Sequence, residues 1–547
     1  MIALRSLLLG TLGTALLLAV GCNGSSNSGG NAKSVSGENA LPTYSDKAFQ
    51  IVSGSENEAL KPILDRFAKE RGVELRVQYK GSIDIMLDLE QGRNLPYDAV
   101  WPANSLWISL GDTEKVVKSQ ESIMHSPVVF GVKQSVAKRL GWIGKEVKIA
   151  NILKAAQAGQ FSFAMTSATQ SNSGASAYLG FLHALAGSPD FLTSKNLADL
   201  QLQEKTKALL GRIDRSSGSS GWLKTHVVEN YDKFQAMVNY ESLIIEANKE
   251  LTAQGKEPLI AIYPTDGLSI SDSPLGYVDH GSQEKEKIFT DLVAYLKSEL
   301  VRKEIIGLGR RAGLVGFDAK DADPAVFNPD WGIDVNRVIA PIPLPKEEVL
   351  REALNLYQAG GLRKPSATIF ALDCSGSMEG KGITQLKEAM TLLLDPIKSK
   401  KILIQPSSRD IHIIVPFDAT PREVIASKGN DPQMLKELLG KVQGLQAGGE
   451  TNIYAAVIGG MEELKKAGPM DGYFPAVILM TDGRSDGSIE SLREALQNQG
   501  YDIPIFSITF GDADERQLQD IARISGGKVF DGRKDMAKAF RDAKGYN

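Results

Sequence analysis

Histidine and cysteine are nearly absent, with five His and two Cys in 547 residues. No HExxH segment and no Cys/His cluster occurs, which excludes the usual zinc spacings. No nucleophile, base and orienting group stand together as a candidate set either, so hydrolysis or group transfer has no visible agent. Blocks of five or more Lys or Arg are missing and the net charge is −4. There is therefore no phosphate-tracking basic stripe, and nucleic acid is not an expected partner. Apart from residues 7–20, no apolar run is long enough to cross a bilayer as a helix.

What is present is ordinary folded protein, 42% hydrophobic and 23% charged. A chain of 547 residues exceeds one hydrophobic core, so about two to four domains are expected. Residues 7–20 (LLLGTLGTALLLAV) have the length of a signal-peptide core. They end in Leu18-Ala19-Val20-Gly21-Cys22, which resembles the lipobox of bacterial lipoproteins. That resemblance implies removal of residues 1–21, lipidation of Cys22 and a membrane anchor outside the cytoplasm. An ordinary signal peptide with an incidental Cys22 is the alternative. Residues 22–46 are rich in Gly, Ser and Asn and read as a flexible tether. With Cys22 lipidated, Cys374 has no partner, so no disulfide framework exists.

Residues 47–317 open as strand, helix, strand. Residues 48–52 read as a strand, 58–71 carry apolar residues at helical spacing, and 73–79 alternate. Further strands are expected at 97–101, 123–133, 161–165 and 258–263. Helices are expected at 174–187, 231–255 and 285–308. The pieces QIVSGSENEALKPILDRFAKE, DAVWPAN, TSATQSNSGASAYLGFLHAL, NYESLIIEANKE and IYPTDGLSISDSPLGYV, in this order, resemble the type II periplasmic solute-binding proteins. The resemblance implies two α/β lobes joined by a hinge, with a small polar solute or peptide segment held between them. Candidate ligand contacts are Ser53, Ser55, Ser171, Ser173, Tyr240, Glu241, Thr265 and Asp266. The alternative at Ser55 is a capping box with Glu58; at the other positions it is ordinary helix and turn polarity. Glu56 and Asp266 argue against a simple oxyanion, and no arginine is clearly aimed at the cleft.

Five prolines between 323 and 345 mark a linker, placed at 318–364, with a short helix at 346–359. Residues 367–372 (ATIFAL) then read as a buried parallel strand. It stops at Asp373-Cys374-Ser375-Gly376-Ser377, a DxSxS motif whose carboxylate and two hydroxyls can face one point. Thr451 follows Gly448-Gly449-Glu450 ahead of a helix at 453–466. Asp482 follows a second buried strand at 475–480. These three segments in order resemble the von Willebrand factor A (VWA) domain. The resemblance, over 365–547, implies a Rossmann-like fold, a mostly parallel sheet flanked by helices. It also implies a metal-ion-dependent adhesion site at Asp373, Ser375, Ser377, Thr451 and Asp482. Mg²⁺ (or Mn²⁺ or Ca²⁺) would keep an open position there for an acidic group of a protein partner. Cys374 beside these hard ligands reads as a packed small residue.

The expected whole is an α/β, exported, anchored binding protein and not an enzyme. A transport receptor whose last domain docks to a permease is one alternative, and an enzyme is the other.

Overall fold

A computed structural model describes residues 48–313, 319–336, 340–482, 485, 487–511, 513–533 and 535–546. The signal segment 1–21, Cys22 and the tether 22–46 lie outside them.

The first lobe begins with β1 (Phe49–Gly54), β2 (Leu75–Lys80), β3 (Ala99–Trp101) and β4 (Val117–Ser122). Every residue of β1 is buried, as expected for a central strand with parallel neighbours on both sides. The intervening helix Lys61–Arg71 turns Ile63, Leu64 and Phe67 inward and stops at Gly72, whose φ of 64° is the left-handed cap. The chain then crosses into a second lobe of β5 (Ser126–Lys133), β6 (Phe163–Ala164), β7 (Ile213–Arg215), β8 (Ala236–Tyr240), β9 (Leu259–Ile262) and β10 (Ser269–Ser271). It returns through β11 (Pro274–Val278), which pairs antiparallel between β3 and β4. The sheets run β2-β1-β3-β11-β4 and β10-β5-β8-β6-β7, with β9 beside β5. The two crossings touch, because Ile123 N donates to Ser273 O at 3.3 Å. This is the two-lobed, hinged arrangement expected.

Two elements differ from expectation. Residues 231–255 are not one helix: β8 occupies 236–240 before the helix Glu241–Ala253. Ala-Met-Val-Asn-Tyr is buried on both faces in mid-sheet, and a short apolar run of that kind has no period to read. Residues 285–308 form two helices, Gln283–Leu296 and Glu299–Gly307, because Ser298 takes an extended conformation between them.

The linker is packed rather than loose. Phe327, Trp331 and Ile333 join the lobe core, and Ile342 N donates to Leu268 O at 2.8 Å. Its helix, Glu347–Gln358, leads to β12 (Ser366–Asp373). With β13 (Ile411–Phe417), β14 (Ile425–Lys428), β15 (Phe474–Thr481), β16 (Ile505–Thr509) and β17 (Lys528–Asp531) this makes a sheet ordered β14-β13-β12-β15-β16-β17. Only β14 pairs antiparallel. All eight residues of β12 are buried. Phe370 and Leu372 meet residues of the helices Lys381–Leu394 and Met536–Gly545 on one face, and Ile369 and Ala371 meet those of Ile453–Lys466 on the other. Leu372 lies beside Met480 in the register, so Asp373 and Asp482 leave the same edge of the sheet. At the carboxyl edge of parallel strands, helices cannot cover the loops, and ligands bind.

Candidate metal centre and inter-lobe cleft

Three loops meet at that edge. Asp373 is fully buried; its Oδ1 accepts from Ser375 N at 2.8 Å and its Oδ2 from Thr481 Oγ1 at 2.6 Å. These two bonds fix the carboxylate and bend the chain so that Ser375 and Ser377 share one side, their hydroxyls 3.1 Å apart. Ser377 Oγ donates to Asp482 Oδ1 at 2.8 Å, joining the first loop to the third. The second loop is tied to the first by Gly376 N to Gly449 O at 2.9 Å and Gly448 N to Cys374 O at 2.8 Å. Gly449 has a φ of 92°, and an added Cβ would lie 3.0 Å from that of Asp418. Glycine is therefore required one turn before Thr451. Thr451 is half-buried, and its carbonyl faces Ser485 Oγ at 3.5 Å; the same hydroxyl accepts from Ile453 N at 2.8 Å. All five residues expected of the metal site thus stand on adjoining, mutually bonded loops.

Burial pushes the Asp373 carboxyl up, and the negative charge of Asp482 adds to that shift. Two repelling carboxylates with the Ser375 and Ser377 hydroxyls form a donor set of the kind a hard cation takes. Among the described residues no group of three or more His, Cys, Asp or Glu side chains is placed to hold a metal. A cation here would rest on hydroxyl oxygens as much as on carboxylates. The Cys374 thiol is buried and pushed up to about 11 by that burial, so it stays protonated beside the hard ligands. Reasoning from sequence missed Thr481, Ser485 and the Asp418–Arg422 pair. Arg422 Nη2 donates to Cys374 O and Gly448 O, both at 3.0 Å, and thereby fastens two of the loops.

The cleft between the lobes is closed. Trp107 Nε1 in the first lobe donates to Asn172 Oδ1 in the second at 2.7 Å, and Asn172 Nδ2 donates to Tyr240 OH at 3.0 Å. Ser55 forms no capping box, since Gly54 is the cap residue and no side chain caps that helix. Instead Ser55 Oγ accepts across the cleft from Ser219 Oγ at 3.0 Å. Ser171 and Ser173 both meet Ser220 Oγ, at 2.9 and 2.8 Å, and Ser173 also meets Thr166. Ser53 accepts from Asn57 Nδ2 at 3.0 Å. The run Ser216-Ser217-Gly218-Ser219-Ser220, which supplies this hydroxyl cluster, was a legible signal that sequence reasoning passed over.

The remaining candidates divide. Glu241 is fully buried in a two-pronged pair with Arg311 at 2.8 and 2.7 Å and also accepts from Tyr263 OH. Arg311 in turn exchanges backbone bonds with His125 in the crossing segment. Glu241 therefore anchors the hinge. Thr265 and Asp266 are not brought to the cleft. Asp266 Oδ1 accepts from Ile149 N at 2.9 Å, and Thr265 lines a separate groove against the linker. An arginine does reach the cleft: Arg310, with Glu56, His125, Ser126, Tyr240 and Ser271, lines a cavity of about 10 Å³, room for about one water.

Glu56 Oε1 and Asn57 Oδ1 are buried there without a hydrogen-bond partner. Burial raises the Glu56 carboxyl to about 7. Between pH 4.5 and about 7 the unfolded chain releases this proton while the folded chain keeps it, so this group's stabilising contribution is lost as pH rises. Glu56→Gln is expected to match the wild type near pH 4 and to exceed its stability by on the order of 2 kcal/mol at pH 8. Denaturant midpoints at both pH values measure this, and a pH-independent difference would contradict it.

A family model described as bacterial extracellular solute-binding protein matches residues 50–309, and one described as von Willebrand factor type A domain matches residues 368–542. Inter-alpha-trypsin inhibitor heavy chain H3 of Mus musculus is 29% identical over 157 residues, 27% of this chain and 17% of that protein. Heavy chain H4 of Bos taurus is 30% identical over 182 residues, 30% of this chain and 18% of that protein. The chain thus spans less than a fifth of the length of these curated relatives. Among solved structures, a von Willebrand factor type A protein from Catenulispora acidiphila has 20% identity, with 34% of this chain and 42% of that one covered, at a TM-score of 0.29. A ferric binding protein from Campylobacter jejuni has 15% identity, with 56% and 98% covered, at a TM-score of 0.41. Two separate stretches of the chain are thus similar to known families, residues 50–309 to bacterial extracellular solute-binding proteins and residues 368–542 to the von Willebrand factor type A domain.

Proposed function

We propose that this chain is an exported binding protein, anchored to a membrane through lipid on Cys22, that joins a small polar solute to a protein partner. The partner is gripped by the VWA domain. Asp373, Ser375, Ser377, Thr451 and Asp482 would hold a divalent cation, Mg²⁺ above others, and the cation supplies an electrophilic position for a Glu or Asp of the partner. The observation that carries this reading is the bonding of the three loops into one cluster, with Ser377 on Asp482 at 2.8 Å. Both oxygens of Asp373 already accept protein hydrogen bonds, which favours an action on the cation through water and leaves it weakly neutralised. Binding rather than catalysis fits this set, because the thiol beside it, Cys374, is buried and held protonated among the described residues.

The solute belongs between the lobes, among Ser55, Ser171, Ser173, Ser219, Ser220 and Tyr240. Export follows from the match to an extracellular family. The test is capture of envelope proteins by the full chain in Mg²⁺ and in EDTA. Capture that needs Mg²⁺ is expected, and undiminished capture in EDTA would sink the mechanism.

A further inference from the structure

We infer that the VWA domain is the latch of the solute cleft: its last helix, Met536–Gly545, holds both lobes at once, so the lobes part only when this helix releases one of them. This inference rests on the reading of residues 50–309 as a solute-binding module.

One side chain shows the arrangement. Arg541 is 5% exposed although it lies at a domain boundary. Its guanidinium pairs with the Asp84 carboxylate on the first lobe. Its Nη2 donates to Thr169 O on the second lobe at 2.9 Å, and its Nε donates to Ile402 O in its own domain at 2.9 Å. The Arg541 carbonyl accepts from Gln170 Nε2 at 2.6 Å. Thr169 and Gln170 directly precede the cleft serines 171 and 173. Asp84 lies on the helix Ser82–Leu89, where Ile83 N donates across the cleft to Gln170 O at 3.3 Å. Rotation about the crossings at 123–125 and 272–273 would pull Asp84 away from Thr169. It would strip a buried guanidinium of one partner, and an uncompensated buried charge is strongly unfavourable.

The linker helix Glu347–Gln358 repeats the pattern. Arg351 reaches Glu90 and, at 3.1 Å, Leu110 O in the first lobe. Ala353 O accepts from Tyr178 OH at 2.9 Å, and Gln358 Oε1 from Thr169 Oγ1 at 3.1 Å, in the second. Gln358 Nε2 then donates to Gln405 O of the VWA domain at 3.0 Å. Beyond the latch, Tyr546 meets the edge of Trp222 on the cleft helix Ser220–Glu229, with ring centres 5.0 Å apart. The cleft is thus sealed from one side by elements that belong to neither lobe.

The same helix borders the metal loops. Phe540 stacks on Phe370 of β12, the strand that ends at Asp373. The helix Lys381–Leu394, which follows Ser377, packs on Met536–Gly545. A partner that binds the VWA domain more tightly with the latch released must therefore open the cleft. Solute held in the closed cleft must weaken that partner by the same factor.

Hydrogen–deuterium exchange on the full chain, without metal or solute, tests the latch. Asp84→Ala and Arg541→Ala each remove one arm of the bridge. Gly81→Ala serves as a wedge, since its methyl would fall 2.1 Å from Gln170 O. The latch predicts at least tenfold faster exchange in 82–89, 167–174 and 219–223 for all three variants, with β12 and β15 protected as in the wild type. If Arg541→Ala unprotects β12 and β15, the domain has unfolded and Asp84→Ala alone decides. Faster exchange with Gly81→Ala but an unchanged cleft with Asp84→Ala would overturn the latch. That result would leave the solute-binding reading intact, which fails instead if no solute in a panel of small polar compounds stabilises either the wild type or the Asp84→Ala chain.

Discussion

Asp373→Ala is expected to bring partner capture in Mg²⁺ down to its level in EDTA, a loss of more than about a hundredfold. Changes one sphere beyond a metal's own ligands already cost about 10- to 100-fold in affinity, and Asp373 organises the whole first loop. Its two oxygens hold Ser375 N and Thr481 Oγ1. Without them, the hydroxyls of Ser375 and Ser377 lose the fixed separation of 3.1 Å. The substitution also disturbs a fully buried position and removes an acceptor from the Thr481 hydroxyl, at about 1–3 kcal/mol. A folding defect must therefore be told apart from a binding defect. Ser377→Ala does so, because Ser377 is exposed and the bonds its hydroxyl makes lie among the loops rather than in the core. It should weaken capture in Mg²⁺ without moving the melting temperature. Capture by Asp373→Ala that still responds to EDTA would contradict the assignment.

Arg311→Leu is expected to destabilise the solute-binding module by about 3–5 kcal/mol, the range for removing one partner of a buried ion pair. The Glu241 side chain is 0% exposed and that of Arg311 9%. The remaining carboxylate would be left in the core beside the Tyr263 hydroxyl. Adding Glu241→Gln to Arg311→Leu should recover part of the loss, since the uncompensated charge, rather than the missing attraction, carries most of the penalty. Urea midpoints of the single and double variants at pH 7 measure both the loss and the recovery. A loss under 1 kcal/mol at pH 7, or no recovery in the double variant, would show that Glu241 is not the hinge anchor.

The three loops of the candidate metal site were legible because their signals are local. A buried strand, a polar turn and a helix start each fall close together in the chain, and β12, β15 and the helix Ile453–Lys466 lie where the apolar runs place them. The residues that brace the loops were not legible. Arg422 acts through its reach to the carbonyls of Cys374 and Gly448, which no spacing announces. The cleft was legible only in outline. Ser55 and Glu58 satisfy the capping-box pattern, yet the hydroxyl is spent on Ser219, 164 residues away. Glu241 stood among the candidate ligand contacts, but its partner Arg311 lies 70 residues on, beyond the helix break at Ser298. Thr265 and Asp266 follow a strand as cleft residues would, but β9 lies off the main path of its sheet, paired to β5 alone, and the loop after it faces the linker. The latch had no local signature at all, since Arg541 is one exposed-looking arginine in an amphipathic terminal helix.

Whether the three loops hold a divalent cation is reported directly by Mn²⁺. Titration of the full chain with Mn²⁺, followed by loss of the free-ion paramagnetic resonance signal, should show one saturable site per chain that Mg²⁺ displaces and that Asp373→Ala and Asp482→Ala both abolish. Absence of saturable binding, or equal binding by those two variants, would contradict the assignment.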